Sequence, residues 1–260
     1  MGEENPKQPV GSPGTQPPPG MMEFWIRFPR RKLWMTITIT AVTAGIYLLQ
    51  VLSNALLKVD IPLNLFALAP ELVHQGQIWR IVTPVLVHGS ILHVLLNLLA
   101  FYTLGRSLER FYGPWRLLII YLIGAVGGSL FHFYFSAQVA IGAATGIFAL
   151  AAAQLVIFLR NRFLWGQENR YFLRNFGGIL AINLVINLFP GLGGISMIGG
   201  FLAGLAFAWF AGPHYNLILS DQDPKVFDLA DRVDSGDVLK VTALILLVIA
   251  LLFALRFLTA

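Results

Sequence analysis

"IWRIVTPVLVHGSILHVLLNLLAFYTLGRSLERFYG" occupies residues 78–113. Its middle, 86–105, is apolar for about 20 residues, the length that crosses a bilayer. Yet it carries His88, His93 and Asn97. Polar groups at that depth are costly and mark function by default. His93 and Asn97 lie four apart, so they stack on one helical face. Two readings fit that pair: an interhelical hydrogen bond, or two donors aimed at a developing oxyanion. His88 and His93 lie five apart, off a common face and with no carboxylate beside them, so no metal site is expected.

The rest of the chain agrees with a membrane setting. Of its 260 residues 57% are hydrophobic and only 12% charged, against roughly a quarter charged in soluble domains. There is no cysteine, which removes disulfide frameworks and cysteine-based metal sites. The net charge of +5 does not point to nucleic acid, because the basic residues flank apolar segments and form no basic domain.

Apolar stretches of spanning length recur at 34–57, 86–105, 115–135, 141–159, 173–190, 194–212 and 240–258. The chain is therefore expected to be an all-α, polytopic membrane helix bundle. Residues 1–22 are rich in Pro and Gly with almost nothing to bury, and read as a disordered tail. The stretch 58–85 is too broken to span and too apolar for a free loop, which suits amphipathic helices in the interface. Residues 213–239 read as an acidic loop, with six Asp between 221 and 237.

Lys and Arg give the orientation. With the N-terminus in the cytoplasm, fifteen of the eighteen basic residues fall inside, and only Lys58, Arg80 and Arg256 outside. The C-terminus then lies on the opposite side.

Small residues form a second pattern. Gly124 and Gly128, Gly142 and Gly146, and Gly200 and Gly204 each make a small-xxx-small pair. Such pairs let helix backbones approach closely, so Gly142–Gly146 is expected to seat the fourth span against a neighbour, with the sixth the favoured partner. Asn183 and Asn187 read as helix–helix glue on the fifth span.

Taken in order, these residues resemble the rhomboid family of intramembrane serine proteases. The resemblance rests on Trp79-Arg80, on His93 and Asn97, on Leu108-Glu109, on "IGAATGIFAL" (141–150) and on "FPGLGGISMIGGFLAG" (189–204), and it covers about residues 60–212. It implies a six-helix core over 33–212, with a seventh transmembrane helix at 240–260 outside the match. It further implies a serine at the start of the fourth span and a histidine general base on the sixth. His93 and Asn97 would bind the oxyanion, and Trp79, Arg80, His88 and Glu109 would have structural or gating roles.

The carry-over meets two substitutions. The serine position is Ala144 and the histidine position is Met197. Alanine cannot attack a carbonyl and methionine cannot accept a proton, so the dyad logic of an activated nucleophile fails. Thr145, one residue on, is rotated about 100° around the helix and has no obvious base. Natural loss and deliberate silencing both account for the pair.

The resemblance therefore implies an inactive scaffold that binds transmembrane segments of client proteins within the lipid bilayer, with no cofactor. An active protease in the unmutated parent form is the alternative. Transport is a third reading, disfavoured because no internal repeat or paired broken helices are visible.

Overall fold

The computed structural model describes residues 7–9, 25–29, 31–165, 174, 176–178 and 194–259. The expected fifth span at 173–190, with Asn183 and Asn187, lies almost wholly outside the described residues.

The long helices are α1 (Trp34–Leu57), α4 (Ile91–Tyr112), α5 (Pro114–Phe135), α6 (Ala144–Arg160), α7 (Ile195–Ala211) and α8 (Ser235–Thr259). Four of them, α1, α4, α5 and α8, are long and apolar enough to cross a membrane. The helices α6 and α7 are apolar but shorter, at 17 residues each. The architecture is the polytopic helical membrane bundle expected from the sequence.

α5, α6 and α7 form the centre. α5 is two-thirds buried along its span, whereas α1 and α8 expose most of their apolar side chains, as lipid-facing helices do. Glycines set the spacing at this centre. A Cβ on Gly204 would lie 2.4 Å from Ala149 Cα, and one on Gly200 2.3 Å from the Thr145 carbonyl oxygen. Both contacts advance together along the two chains, so α6 and α7 run parallel and backbone to backbone. Gly124 and Gly128 of α5 meet Ala149 and Thr145 in the same way.

The second span starts later than expected. Thr83–Leu86 is a 3₁₀ turn, and α4 begins only at Ile91 with Ser90 as its N-cap, its hydroxyl accepting from the His93 N–H at 3.2 Å. His88 therefore sits in the connector ahead of the helix and not on the span. The apolar run "VLV" hid the break; Gly89-Ser90 was the start signal.

The segment 58–85 folds as two short helices, α2 (Ile61–Phe66) and α3 (Pro70–His74), followed by two 3₁₀ turns. Asp60 caps α2 by accepting from the Leu63 N–H. A bridge between Leu68 and Ala140 stitches this segment to the chain entering α6.

At the opposite end of the bundle lies a small sheet that the acidic-loop and tail readings did not contain. Its order is β1-β2-β4-β3, from Lys7–Pro9, Trp25–Arg27, Val226–Asp231 and Tyr215–Leu219 in that order. β2 pairs parallel to β4, and the other pairs are antiparallel. Two of the six Asp are neutralised there: Asp228 pairs with Arg27 and Asp231 with Arg116. The Tyr215 hydroxyl donates to the Phe111 carbonyl at 2.6 Å, and its N–H donates to Asn161 Oδ1 at 2.8 Å, which fastens the sheet to the ends of α4 and α6.

Candidate functional site

At the end of the bundle away from the sheet, α4, α6 and α7 bring the sequence-singled residues together. Gly142, two residues before α6, has φ +105°, a conformation that favours glycine. A Cβ there would lie 2.8 Å from His93 Nε2 and 3.6 Å from Asn97 Nδ2. Both donors of the α4 pair thus converge on the turn that starts α6. Asn97 Nδ2 is buried, with no hydrogen-bond partner among the described residues. An unpaired buried donor is expensive and calls for a partner such as an ordered water or a ligand.

Gly142 does not serve the helix–helix approach expected of it. It precedes the helix and makes room for an imidazole. A Cβ on Gly146 would lie 2.5 Å from the Tyr121 ring of α5, and it is Gly200 and Gly204 that carry the α6–α7 approach.

The loop ahead of α6 is held from two directions. Gly142 N–H donates to the Pro84 carbonyl at 2.8 Å, and Ala143 N–H points to His88 Nε2 at 3.4 Å. Ala143 is the N-cap residue of α6 and has no side chain to accept from the first-turn amides, while its own N–H is the group that reaches His88. The His88 and His93 rings meet edge to face, 5.1 Å between centroids. Burial, then the neighbouring His93, lower the His88 pKa to about 4, with a partial offset from the Leu86 backbone.

Sequence reasoning missed the residue that holds His88 in turn. Gln50 of α1 is buried and donates from Nε2 to Asp60 Oδ2 at 2.9 Å and to the His88 carbonyl at 3.1 Å, while its Oε1 accepts from the His88 N–H at 3.0 Å. A lone glutamine inside an apolar span was the available signal, the same kind that singled out His93.

Ala144 and Met197, expected from the sequence to stand at the dyad positions, lie on the two helices that touch. Thr145 packs where a Cβ on Gly200 or Gly128 would sit, and the Ser196 carbonyl borders the same spot on Gly128. Met197 precedes Gly200 by one turn of α7, on the side level with the start of parallel α6. Ala144 and Met197 are each half-buried, whereas Gly142, Ala143, Gly199 and Gly200 around them are buried.

The remaining named residues lie elsewhere in the fold. Arg80 is buried and donates to the carbonyls of Ala67 at 2.7 Å and Asn64 at 2.6 Å, and to Gln77 Oε1 at 2.7 Å. Burial holds its guanidinium below the usual arginine pKa. Trp79 donates from Nε1 to the Leu65 carbonyl at 3.0 Å and is half-exposed. Glu109 is wholly buried near the sheet end, where it accepts from the N–H groups of Met35 and Thr36 and from the Thr36 hydroxyl. Among the described residues no cluster of His, Cys, Asp and Glu could hold a metal ion.

The sequence profile of the Rhomboid domain matches residues 75–214, which contain His88, His93, Asn97, Gly142, Ala144 and Met197. The chain belongs to the rhomboid family. It is 36% identical over 147 residues to the rhomboid protease GluP of Bacillus subtilis, covering 52% of this chain and 27% of that protein. It is 30% identical to RHOMBOID-like protein 1 of Arabidopsis thaliana, over 68% of this chain and 47% of the relative. The rhomboid protease AarA of Providencia stuartii is 25% identical, over 72% and 76%. The chain thus spans about a quarter to a half of the length of the first two relatives. Membership of this family of intramembrane proteases and the apolar helices make it an integral, multi-pass membrane protein.

Proposed function

We propose that this rhomboid-family chain binds transmembrane segments of client proteins without cleaving them. The observation that carries the reading is the convergence of His93 and Asn97 on Gly142, two residues ahead of Ala144. A rhomboid protease places donors there to stabilise the oxyanion formed when serine attacks. Here the nucleophile position is Ala144 and the base position is Met197, which supply neither attack nor proton acceptance. The donor pair and the close α6–α7 approach remain. A client segment whose backbone carbonyls are exposed by local unwinding would find in Asn97 Nδ2 a donor awaiting an acceptor.

The same reading sets the sheet end in the cytoplasm, with the N-terminus, and the C-terminus across the membrane. Its support is the excess of Lys and Arg at that end. Single cysteines introduced at Lys58 and Lys225 should react with an impermeant maleimide from opposite sides; labelling of both from the same side would break the topology, and an exchange of the two sides would reverse it.

The deciding experiment restores both positions, Ala144→Ser with Met197→His, and assays cleavage of a transmembrane substrate in liposomes. Cleavage by the double variant and none by the parent chain supports a binding scaffold derived from a protease. Cleavage by the parent chain overturns the inactive reading. A folded double variant that does not cleave removes the assignment of these two positions.

A further inference from the structure

A cavity of about 380 Å³ lies outside the site just described, at the same end of the bundle and against the last turn of α8. Its polar lining comes from Glu71 and His74 of α3, Ser136 after α5, and Arg256 of α8. Phe133 and Tyr134 form its aromatic wall, and the Arg256 guanidinium carbon lies 5.8 Å and 5.9 Å from their ring centroids. The His74 ring is sandwiched between Phe133 at 4.8 Å and Phe257 at 5.1 Å. Tyr134 spends its hydroxyl on the Leu252 carbonyl at 2.6 Å, so the α8 backbone is tied to this wall.

The surroundings fix the depth of this cavity. Phe135, Leu255, Phe257 and Leu258 beside it are exposed and apolar, as side chains facing lipid are. Arg256, in the last turn of a spanning helix, therefore lies where acyl chains give way to headgroups. The volume is in the range of small-ligand sites.

Charge selects the ligand. Arg256 already makes an interaction of its own, but a guanidinium has five N–H donors. It and the His74 imidazole can still offer donors to a phosphate, and guanidinium–phosphate pairs are among the stronger charge-assisted hydrogen bonds. Glu71 in the same wall disfavours a purely anionic ligand and offers an acceptor to an ammonium. A quaternary ammonium has no N–H to give it; a protonated primary amine has three. We infer that this cavity binds a zwitterionic phospholipid headgroup of the phosphoethanolamine type, its phosphate on Arg256 and His74 and its amine on Glu71. Three segments that are remote in sequence, α3, the end of α5 and the end of α8, would share one lipid, which would then fasten α8 to the bundle.

The full chain, delipidated in detergent, tests this by native mass spectrometry and thermal melting with added phosphatidylethanolamine, phosphatidylglycerol or phosphatidylcholine. Phosphatidylethanolamine should be retained in preference and should raise the melting temperature. Arg256→Gln should weaken retention of all three roughly tenfold, the scale of one lost charge-assisted contact. Arg256→Lys should keep part of it, which separates lost binding from lost folding. Glu71→Gln should abolish the preference for the primary amine while leaving the phosphate contact.

Soluble glycerophosphoethanolamine distinguishes the source. A shift with the lipid alone assigns a membrane lipid, and a shift with both assigns the headgroup chemistry itself. Equal retention by the parent chain, Arg256→Gln and Glu71→Gln, or no preference among the three lipids, overturns the proposal.

Discussion

Gly142 faces His93 so closely that a Cβ on the glycine would sit 2.8 Å from the imidazole Nε2. The glycine also holds φ +105°, so Gly142→Ala meets both a strained backbone and an occupied space. The substitution should cost at least about 2 kcal/mol in a detergent melt. In the chain restored at residues 144 and 197 it should lower cleavage more than tenfold. Removing the ring with His93→Ala should recover part of the stability of the alanine variant. A double-mutant cycle with no coupling would contradict the contact.

His88 makes the fold sensitive to mild acid. Its pKa in the folded chain is about 4, below its ordinary 6.5, because burial and His93 disfavour the cation. Between those values the unfolded chain binds more protons than the folded one, so stability rises with pH. The contribution is complete above about pH 6.5 and is lost as pH falls toward 4, roughly 3 kcal/mol in all. Melting temperatures across that window should fall less in His88→Gln than in the parent chain.

Glu109 ties α4 to the first turn of α1 by accepting from two backbone N–H groups and one hydroxyl, wholly out of solvent. Glu109→Ala strands all three donors and should destabilise by about 3 kcal/mol or more. Glu109→Gln keeps the shape and one acceptor, and should cost less. Equal melting of the two variants would deny the carboxylate its capping role.

Helix approach at Gly200 leaves no room for a side chain, since its Cβ would lie 2.3 Å from the Thr145 carbonyl oxygen. Gly200→Leu should part α6 from α7 and abolish both stability and restored cleavage. Gly45 on lipid-facing α1 has nothing within 4 Å of its Cβ position. Gly45→Leu should therefore leave stability within about 0.5 kcal/mol. Expression and melting of the two variants side by side check the contrast.

The parts of the fold that the bilayer itself enforces were legible in the sequence. Residues 34–57 had to be helical because lipid satisfies no backbone group, and α1 has those very limits. That His93 and Asn97 share a helix face was legible from their spacing, which left open what the pair does. The helix start at Ile91 was not, because hydropathy runs smoothly through Val87 while the capping geometry of Ser90 does not.

The role of Gly142 was also hidden. A small residue in sequence says that something comes close, and only the fold says that it is the His93 ring and not a helix. The sheet escaped for a different reason. Its strands hold three to six residues, and β2 and β4 bring together Trp25 and Val226, a pairing no local pattern announces.

That pairing also orders events during synthesis. β1 and β2 can meet as soon as the first few tens of residues have emerged, but the parallel side of β2 has no partner until Val226–Asp231 is made. At roughly 5–20 residues per second, the wait is on the order of ten seconds or more. By then every helix from α1 to α7 has left the ribosome. The sheet is thus a clasp that closes on a nearly finished bundle. A chain stalled or cut before residue 226 would hold α1 to α7, lack α8, and leave Trp25–Arg27 with an open edge.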